Sequence, residues 1–117
     1  LWDSSYTKGT KSLALAKKRQ FEIQLESNTK KLRLEMNSLH AQMINLAKQI
    51  DIARQLVSTA NNRFEKSQLE FDINQITYKS YFSSKLDLSK ARLSLIQTVF
   101  AYFQVKEKYE FHLQYPK

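Results

Sequence analysis

The fold is decided in residues 36–64, MNSLHAQMINLAKQIDIARQLVSTANNRF, where apolar side chains return at alternating steps of three and four: Met36, Leu39, Met43, Leu46, Ile50, Ala53, Val57, Ala60 and Phe64. An unbroken repeat of this kind places them all on one stripe of an α-helix, the seam of a coiled coil. Leu25 and Leu32 carry one seam position backward while Glu22 and Thr29 occupy the other, so the seam loosens toward the N-terminus. Outward from this core, the single Gly and the single Pro are Gly9 and Pro116, near the two ends of the 117-residue chain. Everything between them can be helix without meeting a strong breaker. Thr10 or Ser12 could cap the first helix, which the pattern runs over residues 10–66, about 80 Å at 1.5 Å per residue. Residues 1–9 read as a strand-like or irregular lead-in.

A second heptad series, Tyr81, Ser84, Leu88, Ala91, Leu95, Thr98, Tyr102, Val105 and Tyr109, is out of phase with the first. The register breaks between Phe64 and Tyr81. The most polar stretch there is Glu65-Lys66-Ser67-Gln68, and Ser67 with Glu70 has capping-box spacing. This spacing predicts a turn at 66–70, a second helix over 70–113 and a tail at 114–117. A short link between long helices favours an antiparallel hairpin, so the inter-helix seam joins Met36, Leu39, Met43, Leu46, Ile50, Val57 and Phe64 to Leu88, Leu95 and Tyr102. The predicted fold is all-α: a long antiparallel two-helix coiled-coil hairpin, self-associating or part of an α-helical barrel.

The second helix carries a further stripe, Phe82, Leu86, Ser89, Leu93, Ile96, Phe100 and Phe103. Its centre lies roughly 150° from the first seam on ideal heptad geometry, and two seams call for two neighbours. That angle suits a helix in the wall of a wide cylinder of about twelve helices, and equally a helix inside a compact bundle. The first helix has a weaker counterpart in Ala41, Ile44, Ile52 and Leu56, interrupted by Lys48. Unburied stripes of this size are costly in water, so the chain is expected to self-associate.

Composition removes much chemistry. With no Cys there are no disulfides, thiolate zinc sites or cysteine nucleophiles, and one Gly excludes glycine-rich phosphate loops. His40 and His112 fall far apart in a hairpin turning near residue 68, so they form no metal pair. Asp51, Glu65, Glu70, Asp72 and Asp87 have no His beside them and no dry cleft to work in. No catalysis and no cofactor are assigned. The net charge of +8 comes from 19 Lys and Arg spread along the length, with Lys17-Lys18-Arg19 and Lys30-Lys31 the adjacent groups, which fits a solvated exterior. No apolar stretch approaches the ~20 residues of a membrane helix, and no h-region with a cleavage site opens the chain. Its start at Leu1 rather than Met reads as a fragment of something longer. Trp2 and Tyr6 are expected to meet Tyr109, Phe111 and Tyr115 at the end opposite the turn, as a membrane-interface belt would.

The ordered residues resemble the TolC-like outer-membrane efflux proteins, in the second of their two repeats. Leu1-Trp2-Asp3-Ser4-Ser5 looks like the repeat's opening, where a barrel strand leaves the membrane, and Ala14 and Ala16 follow where the family's helix is Ala-rich. Near the turn the family pattern is Arg-Tyr, two residues, Gly, then a branched apolar residue, and later Leu-spaced residues leading to Ala-Arg. Arg63-Phe64, Ser67, Leu69, Leu86, Leu88 and Ala91-Arg92 are similar to it. The resemblance implies a homotrimer with twelve strands in the outer membrane and a twelve-helix periplasmic tunnel. It also implies a tip, Lys66, Ser67, Gln68 and Leu69, that docks onto a periplasmic adaptor bound to an inner-membrane pump. The aperture region would be Glu70, Asp72, Ile73 and Ile76. Ile73 and Ile76 stand where some members have acidic residues, and Ser67 replaces the tip glycine.

The function expected is therefore the periplasmic wall of a passive export channel, opened at its tip by the adaptor. Two alternatives stand beside it: the coiled-coil hairpin of the adaptor itself, disfavoured by the strand-like opening, and a basic hairpin that binds anionic lipid or nucleic acid.

Overall fold

The computed structural model describes residues 2–115. Two helices account for nearly all of them: α1, Trp2–Asp72, of 71 residues, and α2, Tyr78–Gln114, of 37. They pack side by side as an antiparallel hairpin, and the molecule is a rod of 107 × 19 × 16 Å. Its radius of gyration, 29.4 Å, is more than twice the ~13 Å of a compact chain this long.

The seam residues decide the pairing. From Met36 to Phe64 every heptad position is half-buried or buried, and so is every position of the series from Tyr81 to Tyr109. Among the described residues Leu39, Ala53 and Leu88 are the most deeply buried apolar ones, and Ser84 is the buried polar one. The small Ser84 is accommodated because its hydroxyl donates to the Tyr81 carbonyl at 2.7 Å, so that the buried oxygen is paired.

The turn lies at residues 73–77, one heptad beyond the 66–70 read from the sequence. The reason is that the first seam does not stop at Phe64: Ser67 and Phe71 occupy its next two positions, both half-buried. A serine with capping-box spacing can sit inside a helix, where its backbone N–H is satisfied by the helix itself, and a partner helix alongside outweighs the local preference for a start. Lys66, Ser67, Gln68 and Leu69 are therefore helical, with Lys66 paired to Glu70 across one turn at 3.8 Å.

The chain leaves α1 through a Schellman motif. The Gln75 N–H donates to the Glu70 carbonyl at 2.7 Å and the Asn74 N–H to the Phe71 carbonyl at 3.0 Å. Asn74 takes the left-handed conformation, φ 61°. Thr77 then caps α2, its hydroxyl oxygen accepting from the Ser80 N–H at 3.2 Å. Asn74→Val is expected to lower stability by about 1–2 kcal/mol, because a β-branched residue resists positive φ, while Asn74→Gly should be neutral or stabilising. Thermal melts of the two variants check this.

The N-terminal end also differs from its expected form. Residues 2–9 continue α1 instead of forming a strand-like lead-in, and neither Thr10 nor Ser12 begins it. Gly9 is tolerated inside the helix with open space around it, and the Thr10 hydroxyl donates to the Tyr6 carbonyl at 2.9 Å rather than capping. At the other end α2 runs one residue past 113, and the Tyr115 N–H closes it on the Phe111 carbonyl. Leu1 and residues 116–117 lie outside the described residues.

Candidate interaction surfaces

Three surfaces are built by this hairpin. The first is the tip. Phe71 stacks on Tyr81 with ring centres 5.0 Å apart and meets Tyr78 edge-on at 5.9 Å. Phe64 reaches Tyr81 at 5.7 Å, and Phe82 lies against Tyr78 at 6.1 Å. These rings join the two helices just behind the loop. Leu69, Ile73 and Tyr78 are left exposed at the end of the rod, and Ile76 is half-buried in the loop. Of the eight residues expected at tip and aperture, Ile73 and Ile76 are in the turn itself, Glu70 and Asp72 are in the last turn of α1, and the other four are further back along the same helix. Asn74 and Thr77, which shape the tip, escaped the sequence reading. Asn is the commonest substitute for Gly at a helix end, and Thr77-Tyr78-Lys79-Ser80 begins with a capping residue, so both signals were present.

The second surface is the outer stripe of α2. Phe82, Leu86, Leu93, Ile96, Phe100 and Phe103 are 43–64% exposed, as Ile44, Ile52 and Leu56 are on α1. The hairpin buries one stripe of each helix and leaves the other open. Total accessible surface is 10021 Å², against about 6,600 Å² for a compact monomer of 13.8 kDa. The excess comes from the rod shape, the unpaired overhang of α1 and the two open stripes.

The third is the overhang of α1. The end of α2 docks near residue 35, where His112 Nε2 donates to Glu35 Oε1 at 3.0 Å and Tyr109 lies 6.0 Å from the His40 ring. Residues 4–31 extend beyond it as a single, wholly exposed helix of about 40 Å. Two corrections follow. Tyr6 does not meet Tyr109, Phe111 and Tyr115, because the helices differ nearly twofold in length, and the Trp2 side chain lies outside what is described. His40 and His112, instead of being far apart, fall within about one helical turn along the axis, because the turn lies seven residues later. Among the described residues no group of three His, Asp or Glu is arranged to hold a metal.

At the docking point, two open grooves of about 490 and 600 Å³ share Glu35, Phe111 and His112. They mark the step from two helices to one. The overhang carries Lys8, Lys11, Lys17, Lys18, Arg19, Lys30 and Lys31 against Glu22 and Glu26, so it is the most basic part of the rod. A helix without a partner lacks the tertiary packing that supplies most helical stability in proteins. Trypsin is therefore expected to cut at Lys17-Lys18-Arg19 at least about tenfold faster than at Arg54, which is also exposed but lies in the paired region. Equal rates, followed by mass spectrometry, would contradict the assigned pairing.

No helix among the described residues is long and apolar enough to cross a membrane. No protein-family model, curated protein or solved structure matches this chain.

Proposed function

We propose that this chain is a wall segment of an oligomeric α-helical tube, the periplasmic part of a trimeric outer-membrane export channel of the TolC-like kind. It conducts passively, and an adaptor protein linked to an inner-membrane pump opens it at the tip. The observation that carries this reading is the two-sided α2: one stripe holds α1 and the other is free for the next helix of a wall. The rod-like shape and the excess of open surface support it.

Part of the tip pattern of the resemblance recurs one heptad on, at the turn. Phe71, two residues, Asn74 and then Ile76 repeat the order of an aromatic, two residues, Gly and a branched apolar residue, with Glu70 where the pattern has Arg, and Asn74 has the backbone conformation a glycine would supply. Moving the pattern one heptad brings Ala91-Arg92 closer to the tip than the pattern asks. It also moves the acidic positions to Ser80 and Ser83, so this tip has no acidic ring in either alignment. Adaptor contact then falls on the exposed end, Ile73 and Tyr78, rather than on Lys66 to Leu69.

The adaptor-hairpin reading regains ground from one observation. The lead-in that spoke against it as strand-like is helical from Trp2. The parent reading frame separates the two readings: a signal peptide and an earlier, similar repeat are expected for the channel, whereas flanking lipoyl-like β segments would overturn it in favour of the adaptor.

A further inference from the structure

We infer that a second copy of this chain packs on the outer stripe of α2, antiparallel, with a two-fold axis at Leu93. The inference does not rest on the channel reading and competes with it for the same stripe. The stripe is close to symmetric about Leu93: Leu86 and Phe100 lie one heptad to either side, with Phe82 and Phe103 beyond them. Turning one copy over sets Leu86 against Phe100, and brings Phe82 and the small Ser89 to within one residue of the partner's Phe103 and the branched Ile96, a large-to-large and small-to-large match suited to close packing.

Charge then chooses the direction. The stripe ends on Lys79 at one side and on Glu107 at the other, each two heptads from Leu93, and both are exposed. Neither belongs to an ion pair in the hairpin, where Glu110 is the acidic residue that Lys106 takes. Antiparallel packing brings Lys79 to the partner's Glu107 twice. Parallel packing would set Lys79 on Lys79 and Glu107 on Glu107, which is repulsive.

Area is sufficient. Large side chains at these exposures present on the order of 100 Å² each, so the stripe offers about 600 Å² per copy and about 1,200 Å² in the pair, the lower end of stable interfaces. In a tube of alternately directed helices the same face would again receive an antiparallel neighbour, but a different helix.

Sedimentation equilibrium and single-cysteine crosslinking of the 117-residue chain, which has no native Cys, test this. A dimer is expected. Lys79→Glu or Glu107→Lys alone should weaken it about tenfold, and the two together should restore it to within about twofold. Leu93→Cys should crosslink to itself, and Phe82→Cys should link to Phe103→Cys but not to itself. These residues are exposed in the hairpin, so circular dichroism should be unchanged. A chain that stays monomeric at millimolar concentration, a Phe82→Cys self-link, or a trimer or closed ring as the smallest complex would each overturn the pairing. The last result would give the face to a tube neighbour and leave the channel reading standing.

Discussion

Leu88→Ala is expected to cost the hairpin about 3 kcal/mol, the largest effect of any single truncation along the rod. Among the described residues Leu88 is the most deeply buried, 4% exposed, and the other buried apolar residues are Leu39 and Ala53. A seam this thin has no second layer to close over the gap, so both the lost transfer energy and the cavity are felt. Leu93→Ala makes the same chemical change five residues away, on a side chain 56% exposed. It should shift stability by less than about 1 kcal/mol when measured on the monomer. Urea unfolding followed by circular dichroism compares the two. Equal midpoints would mean that the assigned seam is not the one holding α2.

Phe71→Ala is the second large effect, about 2–3 kcal/mol, below the range for a fully buried ring because Phe71 is only half-buried. Its ring contacts both Tyr78 and Tyr81 across the turn, so the loss is local. Amide exchange at residues 73–81 should speed up about 50-fold while amides near Leu39 and Tyr109 keep their protection. Uniform acceleration along the rod would show that the tip rings stabilise the whole hairpin rather than the turn. If the tip is where a tube opens, the variant also sets how stiff that end is.

Much of this architecture was legible in sequence because a heptad repeat reports which side of a helix is covered. The stripes from Met36 to Phe64 and from Tyr81 to Tyr109 needed nothing else. The turn was harder. Ser67 has the chemistry of a helix start and the position of a seam residue, so the local signal and the periodic one point to different turns. Phe71, one heptad past Phe64, continues the seam, and Asn74 marks the stop where no glycine is present. The lead-in misled for a similar reason. Weak helix formers such as Ser4, Ser5, Thr7 and Gly9 lower helical propensity without forbidding helix, so resemblance to a strand outweighed a modest penalty.

The candidate surfaces divided the same way. The outer stripe of α2 was visible residue by residue, because spacing alone defines it. The overhang was not. Its residues have helical chemistry whether or not a partner lies alongside, and no count along α1 reveals that α2 ends beside Glu35. The proximity of His40 and His112 was hidden for that reason too, since it follows from where the chain turns.

By itself the amino-acid sequence determined that this protein is two long helices and which stripes of them are adhesive, because period and side-chain chemistry are local properties. Tertiary structure alone decided where the turn falls, how far the pair extends and which stripe is spent within the chain. Those depend on one helix meeting another, and the free energy of that contact overrides a serine's preference to begin a helix.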